Sequence, residues 1–293
     1  MIDQYMLRYF LAVAELGSFS RAARRVSVTQ PTLSAGIAKL ERQLGSRLFE
    51  RERKGVSLTP AGSRFLARAR RIAAEYEQAL AEIRGQPEPR LLRVGVLNTV
   101  PAGMTEALLQ QHGAADDEAL ELVDGSERDL AERLDRGRID CALTVIRPHH
   151  ARFAHEVLAR ERYKMVLSHG HPLAGEREVQ AEQLARDPMA LRQHCEALPE
   201  INRFFTQHGV RPRFVLKTTN DTRALAVVRS GAGIAMMPDG FADGSVEFVP
   251  VRDFALFRDL GLVFAGHAQE QATRSSRFVA LIRGLYASRG AKV

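Results

Sequence analysis

The stretch SFSRAARRVSVTQPTLSAGIAKLE, residues 18–41, holds two short amphipathic segments that are separated only by Ser27 and Val28. Ser18 and Thr29 are candidate N-caps, because each precedes apolar residues at helical spacing and carries a side-chain acceptor for a free N–H. Two helices joined by so short a turn must cross steeply. The stretch therefore predicts a helix-turn-helix whose two helices approach closely at Ala22 and Ala23.

The regions on either side of this stretch extend the pattern. An apolar helical repeat covers residues 2–16 and ends at Gly17, which predicts a preceding helix. Residues 48–51 and 56–59 are strand-like and flank the turn at 52–55, which predicts a hairpin with a basic tip.

A long helix is predicted to begin at Pro60, which suits the first helical position. Its apolar residues recur every three or four positions and form a heptad seam of Phe65, Ala69, Ile72, Tyr76, Ala79 and Ile83. This seam predicts a dimerising coiled coil, and a helix packed on its own domain is the alternative. The segment Gly85–Pro89 is typical of a semi-rigid linker.

From Leu91 onward, strands and helices alternate with short loops, which predicts a parallel α/β sheet. Two separate strand-like runs are expected at 153–158 and 163–167, and a second α/β series follows them. That series includes a helix near 179–185 and a single closing helix over 271–288. Two such halves would form a ligand cleft at their seam.

Charge is distributed unevenly along the chain. Residues 1–90 contain 16 Lys and Arg against 9 Asp and Glu, whereas the remaining residues contain 26 of each. A basic first segment on a neutral body favours contact with a polyanion.

Several functional classes lose support from composition and motifs. The chain has no long uncharged apolar run and starts without a basic, apolar leader, so we expect a cytoplasmic protein. Cys141 and Cys195 lack metal-binding or disulfide spacing. No nucleophile elbow, P-loop or dinucleotide fingerprint occurs, which argues against an enzyme. A pure solute-binding protein is the other rival, and the basic N-terminal segment argues against it.

The N-terminal motifs together resemble those of LysR-type transcriptional regulators. They are Ala22-Ala23, Val28-Thr29-Gln30-Pro31, Leu33-Ser34, Leu40-Glu41, Leu44-Gly45, Leu48-Phe49-Glu50-Arg51 and Leu58-Thr59-Pro60-Ala61-Gly62. A looser similarity to the family's effector-binding domain lies in His171-Pro172-Leu173-Ala174, Phe204-Phe205, His208-Gly209 and Gly231–Pro238.

The resemblance implies an α+β multidomain protein. A winged helix-turn-helix would cover 1–59, a linker helix that dimerises as a coiled coil 60–84, and a hinge 85–90. The effector domain, 91–293, would resemble type 2 periplasmic binding proteins, with subdomain I at about 91–160 and 266–293 and subdomain II at about 161–265. The implied partners are double-stranded promoter DNA, a small-molecule effector and further copies in a homodimer or homotetramer, with RNA polymerase as a further candidate. No cofactor, metal or membrane is implied.

The second helix of the helix-turn-helix is expected to enter the major groove. The predicted DNA-binding residues are Thr29, Gln30, Pro31 and Ser34 on that helix, and Arg51, Arg53 and Lys54 on the wing. Gln30 can pair with adenine, and Pro31 can contact a thymine methyl. Arg21, Arg24 and Arg25 suit phosphate contact or plain solvation equally. Gly36 follows Ala35 where the family commonly has polar or basic residues, and we expect it to allow close approach to phosphate.

The effector-binding positions are carried over from the family's pocket. They are Asn98, Thr99, Gly125, Ser126, Thr144, Val145, Arg147, Arg192, His194 and Thr219. Arg147 or Arg192 could clamp a carboxylate, so a small organic anion is expected, and a surface salt bridge is the alternative for each arginine. A second alternative is that Cys195 is a peroxide sensor, with the pKa of its thiol lowered by the neighbouring imidazolium of His194.

Overall fold

The computed structural model describes residues 2–52, 55–83, 90–113, 118–266 and 270–290. The chain divides into two compact units. The N-terminal unit is Met1–Leu92 with two short later pieces, Asp117–Ala119 and Glu132–Ile139, and the C-terminal unit holds the rest. No helix within the described ranges is both long and apolar enough to cross a membrane.

The N-terminal unit contains the predicted winged helix-turn-helix. Its elements are α1 (Gln4–Leu16), α2 (Phe19–Arg25), α3 (Gln30–Leu44), β1 (Phe49–Glu52), β2 (Gly55–Leu58) and α4 (Pro60–Ile83). Both predicted N-caps act as such, because the side chains of Ser18 and Thr29 accept from the backbone N–H groups of Arg21 and Thr32. Gly17 and Gly45 end α1 and α3 in the left-handed conformation that glycine adopts without strain. The core between these helices includes Phe10, Leu33 and Leu40, all fully buried.

The apolar residues of the long helix α4 are buried near its start and exposed farther along. Its first turns belong to the N-terminal unit's core, where Leu66 and Ala69 are buried and Phe65 packs on the same cluster. Farther along, Ile72 is 49% exposed and Tyr76 is 44% exposed. The start of the heptad seam is therefore buried by packing on its own domain. Its later residues, Ile72 and Tyr76, stay exposed in the described unit.

The C-terminal unit follows the predicted α/β order. Its elements are β3 (Arg90–Leu97), α5 (Ala102–His112), β4 (Glu118–Gly125), α6 (Glu127–Asp135), β5 (Cys141–Val145), β6 (His155–Leu167), β7 (Met189–Arg192), α7 (Leu198–Gln207), β8 (Phe214–Thr218), α8 (Asp221–Arg229), β9 (Ala235–Pro238), β10 (Glu247–Val249), β11 (Phe257–Phe264), α9 (Glu270–Arg274) and α10 (Arg277–Gly290). The largest sheet has the order β10-β6-β11-β5-β3-β4, and β9 also pairs with β6. β3 and β5 are parallel, as are β7 and β8 in a separate two-stranded sheet.

The two strand-like runs expected at 153–158 and 163–167 are one continuous strand, β6, and that expectation was wrong. The first part of β6 pairs with β11, and the last part pairs with β9 and β10. The two expected runs are joined through the charged residues Arg160-Glu161-Arg162. Glu161 is nevertheless only 4% exposed and forms an ion pair with Arg258 of β11, so the strand continues through it.

Two predicted helices also differ in detail. The helix expected near 179–185 is a single 3₁₀ turn over Ala181–Leu184. The closing helix is broken into α9 and α10, because the Ser276 side chain accepts from the backbone N–H of Val279 and starts a new helix.

Candidate functional site

The first turn of α3 presents its predicted DNA-binding residues to solvent. Thr29, Gln30 and Pro31 are exposed, and Ser34 is half-buried on the same side of the helix start. Thr29 caps the helix with its hydroxyl, which also lies 2.8 Å from the Thr32 hydroxyl. The dipole of a helix favours phosphate at its exposed N-terminus. The capping role of Thr29 is thus compatible with a role at a DNA backbone.

The side chain of Gln30 is oriented by a residue that sequence reasoning missed. The hydroxyl of Ser20, on α2, donates to Gln30 Oε1 at 2.8 Å. This bond directs the amide NH₂ of Gln30 away from α2, while Oε1 keeps a second lone pair. Ser20 and Gln30 meet because α2 and α3 cross steeply. The short turn at residues 27 and 28, which predicts this crossing, is the feature of the sequence from which the contact could have been expected.

The wing contains the remaining predicted DNA-binding residues. β1 and β2 pair antiparallel, with Phe49 opposite Leu58 and Arg51 opposite Val56. Arg51 lies on β1, and only its backbone is described. Arg53 and Lys54 lie outside the described residues, so the predicted role of all three wing cations stays a prediction.

Gly36 has a different role from the expected one. It is buried, and a Cβ at this position would lie 2.7 Å from Cδ2 of Tyr9. Tyr9 is 6% exposed and packs edge-on against Tyr5 with ring centroids 5.5 Å apart. The glycine therefore allows α3 to pack closely on α1, and the expectation that it approaches phosphate was wrong.

The predicted effector residues of the first half lie at the ends of β3, β4 and β5. The backbone N–H of Asn98 donates to the Gly125 carbonyl at 3.0 Å and joins two of these loops. Ser126 exchanges hydrogen bonds with Asp129 and caps α6. At the end of β5, Val145 and Thr144 are buried, and Thr144 Oγ1 is a buried atom without a hydrogen-bond partner among the described residues.

Arg147 already has a carboxylate partner. Its Nε and Nη2 donate to the two carboxylate oxygens of Glu127 at 3.0 and 3.1 Å. These bonds hold the pKa of Arg147 above its ordinary value, so the guanidinium is permanently charged. Arg147 is half-buried and Nη1 takes no part in this pair, which leaves room for a second anion.

The second half of the predicted effector set gathers around Asp221. Arg192 donates to both carboxylate oxygens of Asp221 at 2.5 and 2.7 Å, and its side chain is 2% exposed. Burial alone would raise the pKa of Asp221, but the bonds from Arg192 lower it to about 2. His194 Nε2 lies 3.4 Å from Asp221 Oδ2 and helps Arg192 to lower the pKa of this carboxyl. The other ring nitrogen, Nδ1, is a buried atom without a hydrogen-bond partner in the described part of the chain. Thr219 is exposed after β8.

A buried ion network contacts Thr99 of the first group, and sequence reasoning missed all three of its charged members. Arg258, 3% exposed, donates to Glu161 at 2.7 Å, to Glu196 at 2.5 Å and to the Thr99 hydroxyl at 2.8 Å. It also donates to the Thr99 carbonyl at 3.0 Å. No local spacing pattern relates these residues, since Arg258 is 97 positions from Glu161 and 159 from Thr99.

Cys195 has the properties of a structural thiol. It is 6% exposed, and burial raises its pKa despite the nearby charge of Arg192. The thiolate is the reactive form of cysteine. The environment of Cys195 therefore argues against the peroxide-sensing alternative.

Comparison with known proteins identifies two family profiles in the chain. The profile described as bacterial regulatory helix-turn-helix protein, lysR family, matches residues 5–63, and the LysR substrate binding domain matches residues 85–286. The HTH-type transcriptional regulator YnfL of Escherichia coli is 28% identical, over 94% of this chain and 97% of its own length. TfdS, an HTH-type transcriptional regulator of Cupriavidus pinatubonensis, is 32% identical, over 85% of this chain and 86% of its own.

Among solved structures, ArgP from Mycobacterium tuberculosis superposes with a TM-score of 0.73 and 25% identity. The superposition covers 98% of both chains. The fold is therefore shared over nearly the whole length.

Proposed function

The chain belongs to the LysR family of bacterial transcriptional regulators, and from this premise we propose which of its residues read DNA, bind effector and join copies. Members of this family are DNA-binding regulators with an effector-binding domain. In this chain the first turn of α3 reads the major groove through Thr29, Gln30, Pro31 and Ser34, and the wing cations Arg51, Arg53 and Lys54 contact the DNA backbone.

The observation that carries the DNA-reading assignment is the oriented amide of Gln30. An exposed glutamine on the first turn of a recognition helix can accept from adenine N6 and donate to N7. The bond from Ser20 to Gln30 Oε1 limits the rotamers of that side chain before DNA arrives. A side chain held in its binding geometry loses less entropy on association.

The effector is a small organic anion bound by the ten predicted positions from Asn98 to Thr219. Two of those positions carry buried polar atoms without a hydrogen-bond partner among the described residues, Thr144 Oγ1 and His194 Nδ1. Buried polar groups are nearly always hydrogen-bonded, so unpartnered ones favour a site that a polar ligand completes. Arg147, half-buried with Nη1 outside its pair with Glu127, is the group that attracts the anion.

Self-association uses α4. Its Ile72 and Tyr76 are exposed and line a groove of about 770 Å³ together with Leu7 and Leu11 of α1. A second copy covers these residues through its own α4, in the manner of a coiled coil. Homotetramers then form from two such dimers, and RNA polymerase is a further partner.

The decisive experiment is binding-site selection with full-length wild-type protein and Gln30→Ala, followed by gel-shift affinity on the selected sequence. The variant is expected to lose about 1–3 kcal/mol of affinity and to accept any base at one position. Ser20→Ala should give a smaller loss at the same position, because it frees the Gln30 side chain without removing it.

Gln207→Ala is the matched control, since Gln207 is exposed on α7 of the C-terminal unit and belongs to none of the proposed sites. It should leave both motif and affinity unchanged. An unaltered motif for Gln30→Ala, with affinity equal to wild type, would remove Gln30 from the base-reading set.

A further inference from the structure

Asp221 has the contacts that the sequence predicts for a bound carboxylate. Arg192 is one of two arginines expected to clamp a carboxylate of the effector, and His194 belongs to the same predicted group. In the structure, Nε and Nη2 of Arg192 donate to the two carboxylate oxygens of Asp221 at 2.5 and 2.7 Å. His194 Nε2 lies 3.4 Å from Oδ2 of the same carboxylate. A carboxylate of the chain itself thus takes the position expected for one of the ligand.

The ends of two parallel strands and the start of a helix form this arrangement. β7 ends at Arg192, which lies opposite Thr218 at the end of β8. Asp221 is the first residue of α8, where the positive end of the helix dipole favours a carboxylate. Ligands of α/β domains usually bind at the carboxyl ends of parallel strands. Asp221 therefore lies where an exogenous anion is expected, and its own backbone holds it there.

Arg192 is closed to a second anion. Its side chain is 2% exposed, and that of Asp221 is 10% exposed. Besides the two nitrogens that bind Asp221, Nη1 donates to the Met236 carbonyl at 3.5 Å, so all three side-chain nitrogens have an acceptor within the chain. The guanidinium also lies over the ring of Phe241, 5.3 Å from its centroid. The pKa of Asp221 is about 2, so its carboxylate is ionised and balances the charge of Arg192 at neutral pH.

Arg147 differs from Arg192 in its access to solvent. It also pairs with a carboxylate, that of Glu127, but 38% of its side chain is exposed and Nη1 takes no part in the pair. An exogenous carboxylate can therefore reach Arg147 and form a charge-assisted hydrogen bond there. Of the two arginines expected to clamp the effector, one is accessible and the other is already filled.

We propose that Asp221 is a resident carboxylate, which fills the anion subsite of Arg192 from within the chain and leaves Arg147 as the clamp for an anionic group of the effector. This inference rests on the proposed effector site and narrows its ligand to molecules with a single anionic group. Arg192 and His194 act on regulation through Asp221 rather than by touching the ligand. Because the subsite is filled in every molecule, DNA binding depends on the Asp221 carboxylate even without effector.

The test empties the subsite and refills it with a small carboxylate. Asp221→Ala keeps the Cβ and removes the carboxylate, and formate has the size of the missing group. Full-length wild type and variant are compared in sodium formate and in sodium chloride at equal ionic strength, by calorimetry and thermal unfolding. The variant should bind formate at least about tenfold tighter than wild type does, and formate should raise its unfolding temperature.

DNA binding separates a resident ligand from a purely structural ion pair. Gel shifts use the sequence selected by wild-type protein, at a temperature where the variant is folded in both salts. The affinity of Asp221→Ala should differ at least about tenfold from that of wild type in chloride and return to within about twofold in formate. A purely structural pair would change the unfolding temperature and leave the affinity for DNA at the wild-type value in both salts.

Two control variants isolate the carboxylate. Asp221→Asn fills the same space without a charge, so formate should affect neither its stability nor its affinity for DNA. Asp243→Ala removes the carboxylate of a surface pair, in which Arg229 Nη2 lies 2.8 Å from Asp243 Oδ2. This variant should respond to formate no more than wild type does.

Three results would overturn the inference: no formate binding by folded Asp221→Ala, the same response to formate in Asp221→Asn, or equal affinity of Asp221→Ala for DNA in the two salts. If Asp221→Ala does not fold in chloride, it is refolded in formate. Recovery in formate alone is then the expected result, and no recovery in either salt would contradict the subsite. These measurements need no effector, whereas a screen of organic anions against wild type tests the proposed effector site, so the two failures are distinguishable.

Discussion

Two arginines of each unit have opposite environments. On α2 of the N-terminal unit, Arg24 and Arg25 are exposed, and no carboxylate within the described ranges pairs with them. In the C-terminal unit, Arg192 and Arg258 are each 2% exposed at the side chain and bound by carboxylates.

The contrast separates a binding role from a structural role. An exposed guanidinium without a partner contributes little to folding but is available to a phosphate. A buried pair adds little net stability compared with an apolar core, yet removing one partner leaves an uncompensated buried charge. We therefore expect substitution of the two buried arginines to affect stability and substitution of the two exposed ones on α2 to affect DNA binding.

The largest effect is expected for Arg258→Met. The variant leaves the carboxylates of Glu161 and Glu196 together in the interior without a cation, and we expect a loss of about 3–5 kcal/mol in the free energy of unfolding of the C-terminal unit. Urea denaturation followed by circular dichroism suits a chain that contains no tryptophan.

Arg252→Met is the control for Arg258→Met, because Arg252 also pairs with a carboxylate, Glu178 at 2.9 Å, but on the surface. Its loss should be much smaller than that of Arg258→Met, because solvent screens an exposed pair. Similar losses in the two variants would show that burial does not distinguish these pairs.

A second prediction concerns the pH dependence of the Arg192–Asp221 pair. The pKa of Asp221 is about 2 in the folded protein against 3.8 ordinarily, so the folded state binds fewer protons than the unfolded state between these values. Stability from this pair is fully present above about pH 4 and is lost as the pH falls toward 2, by about 2 kcal/mol in total. Unfolding curves from pH 5 to 2 should show this slope in wild type and a shallower one in Asp221→Asn. Parallel slopes would contradict the assignment.

These buried pairs are a feature of the structure that could not be predicted from the sequence. Caps, turns and apolar periods are local signals, and they predicted the helix-turn-helix, the wing and most of the α/β order. Arg258 and Thr99 are 159 positions apart, and their contact depends on how β3, β6 and β11 are arranged. The same network keeps Glu161 inside β6, and no local pattern predicts that the runs expected at 153–158 and 163–167 form one strand.

Gly36 shows the same limit within the N-terminal unit, and its substitution has the third-largest expected effect. Gly36→Ala places a Cβ 2.7 Å from the Tyr9 ring, at an overpacking cost of roughly 1–3 kcal/mol. The better helix propensity of alanine offsets about 1 kcal/mol, so a net loss of about 1 kcal/mol remains.

The control for Gly36→Ala is Gly103→Ala on α5, where a Cβ would meet nothing within 4 Å. That variant should be neutral or stabilised by up to about 1 kcal/mol. Equal thermal shifts for the two variants would mean that Tyr9 moves aside without cost.

The smallest effect on stability is expected for the double variant Arg24→Gln/Arg25→Gln. Both residues lie in the last turn of α2, where their charges interact with the helix dipole, so the free energy of unfolding should change by only about 0.5 kcal/mol. If both guanidiniums contact phosphate, affinity for DNA should fall at every sequence alike, and the slope of log K against log salt should become shallower by about 2. Arg177→Gln/Arg186→Gln removes the same charge from exposed positions of the C-terminal unit and controls for net charge. An equal change in slope for both double variants would mean that Arg24 and Arg25 contribute only through the net charge of the protein. A change in slope only for Arg24→Gln/Arg25→Gln is the result expected if these two residues contact phosphate.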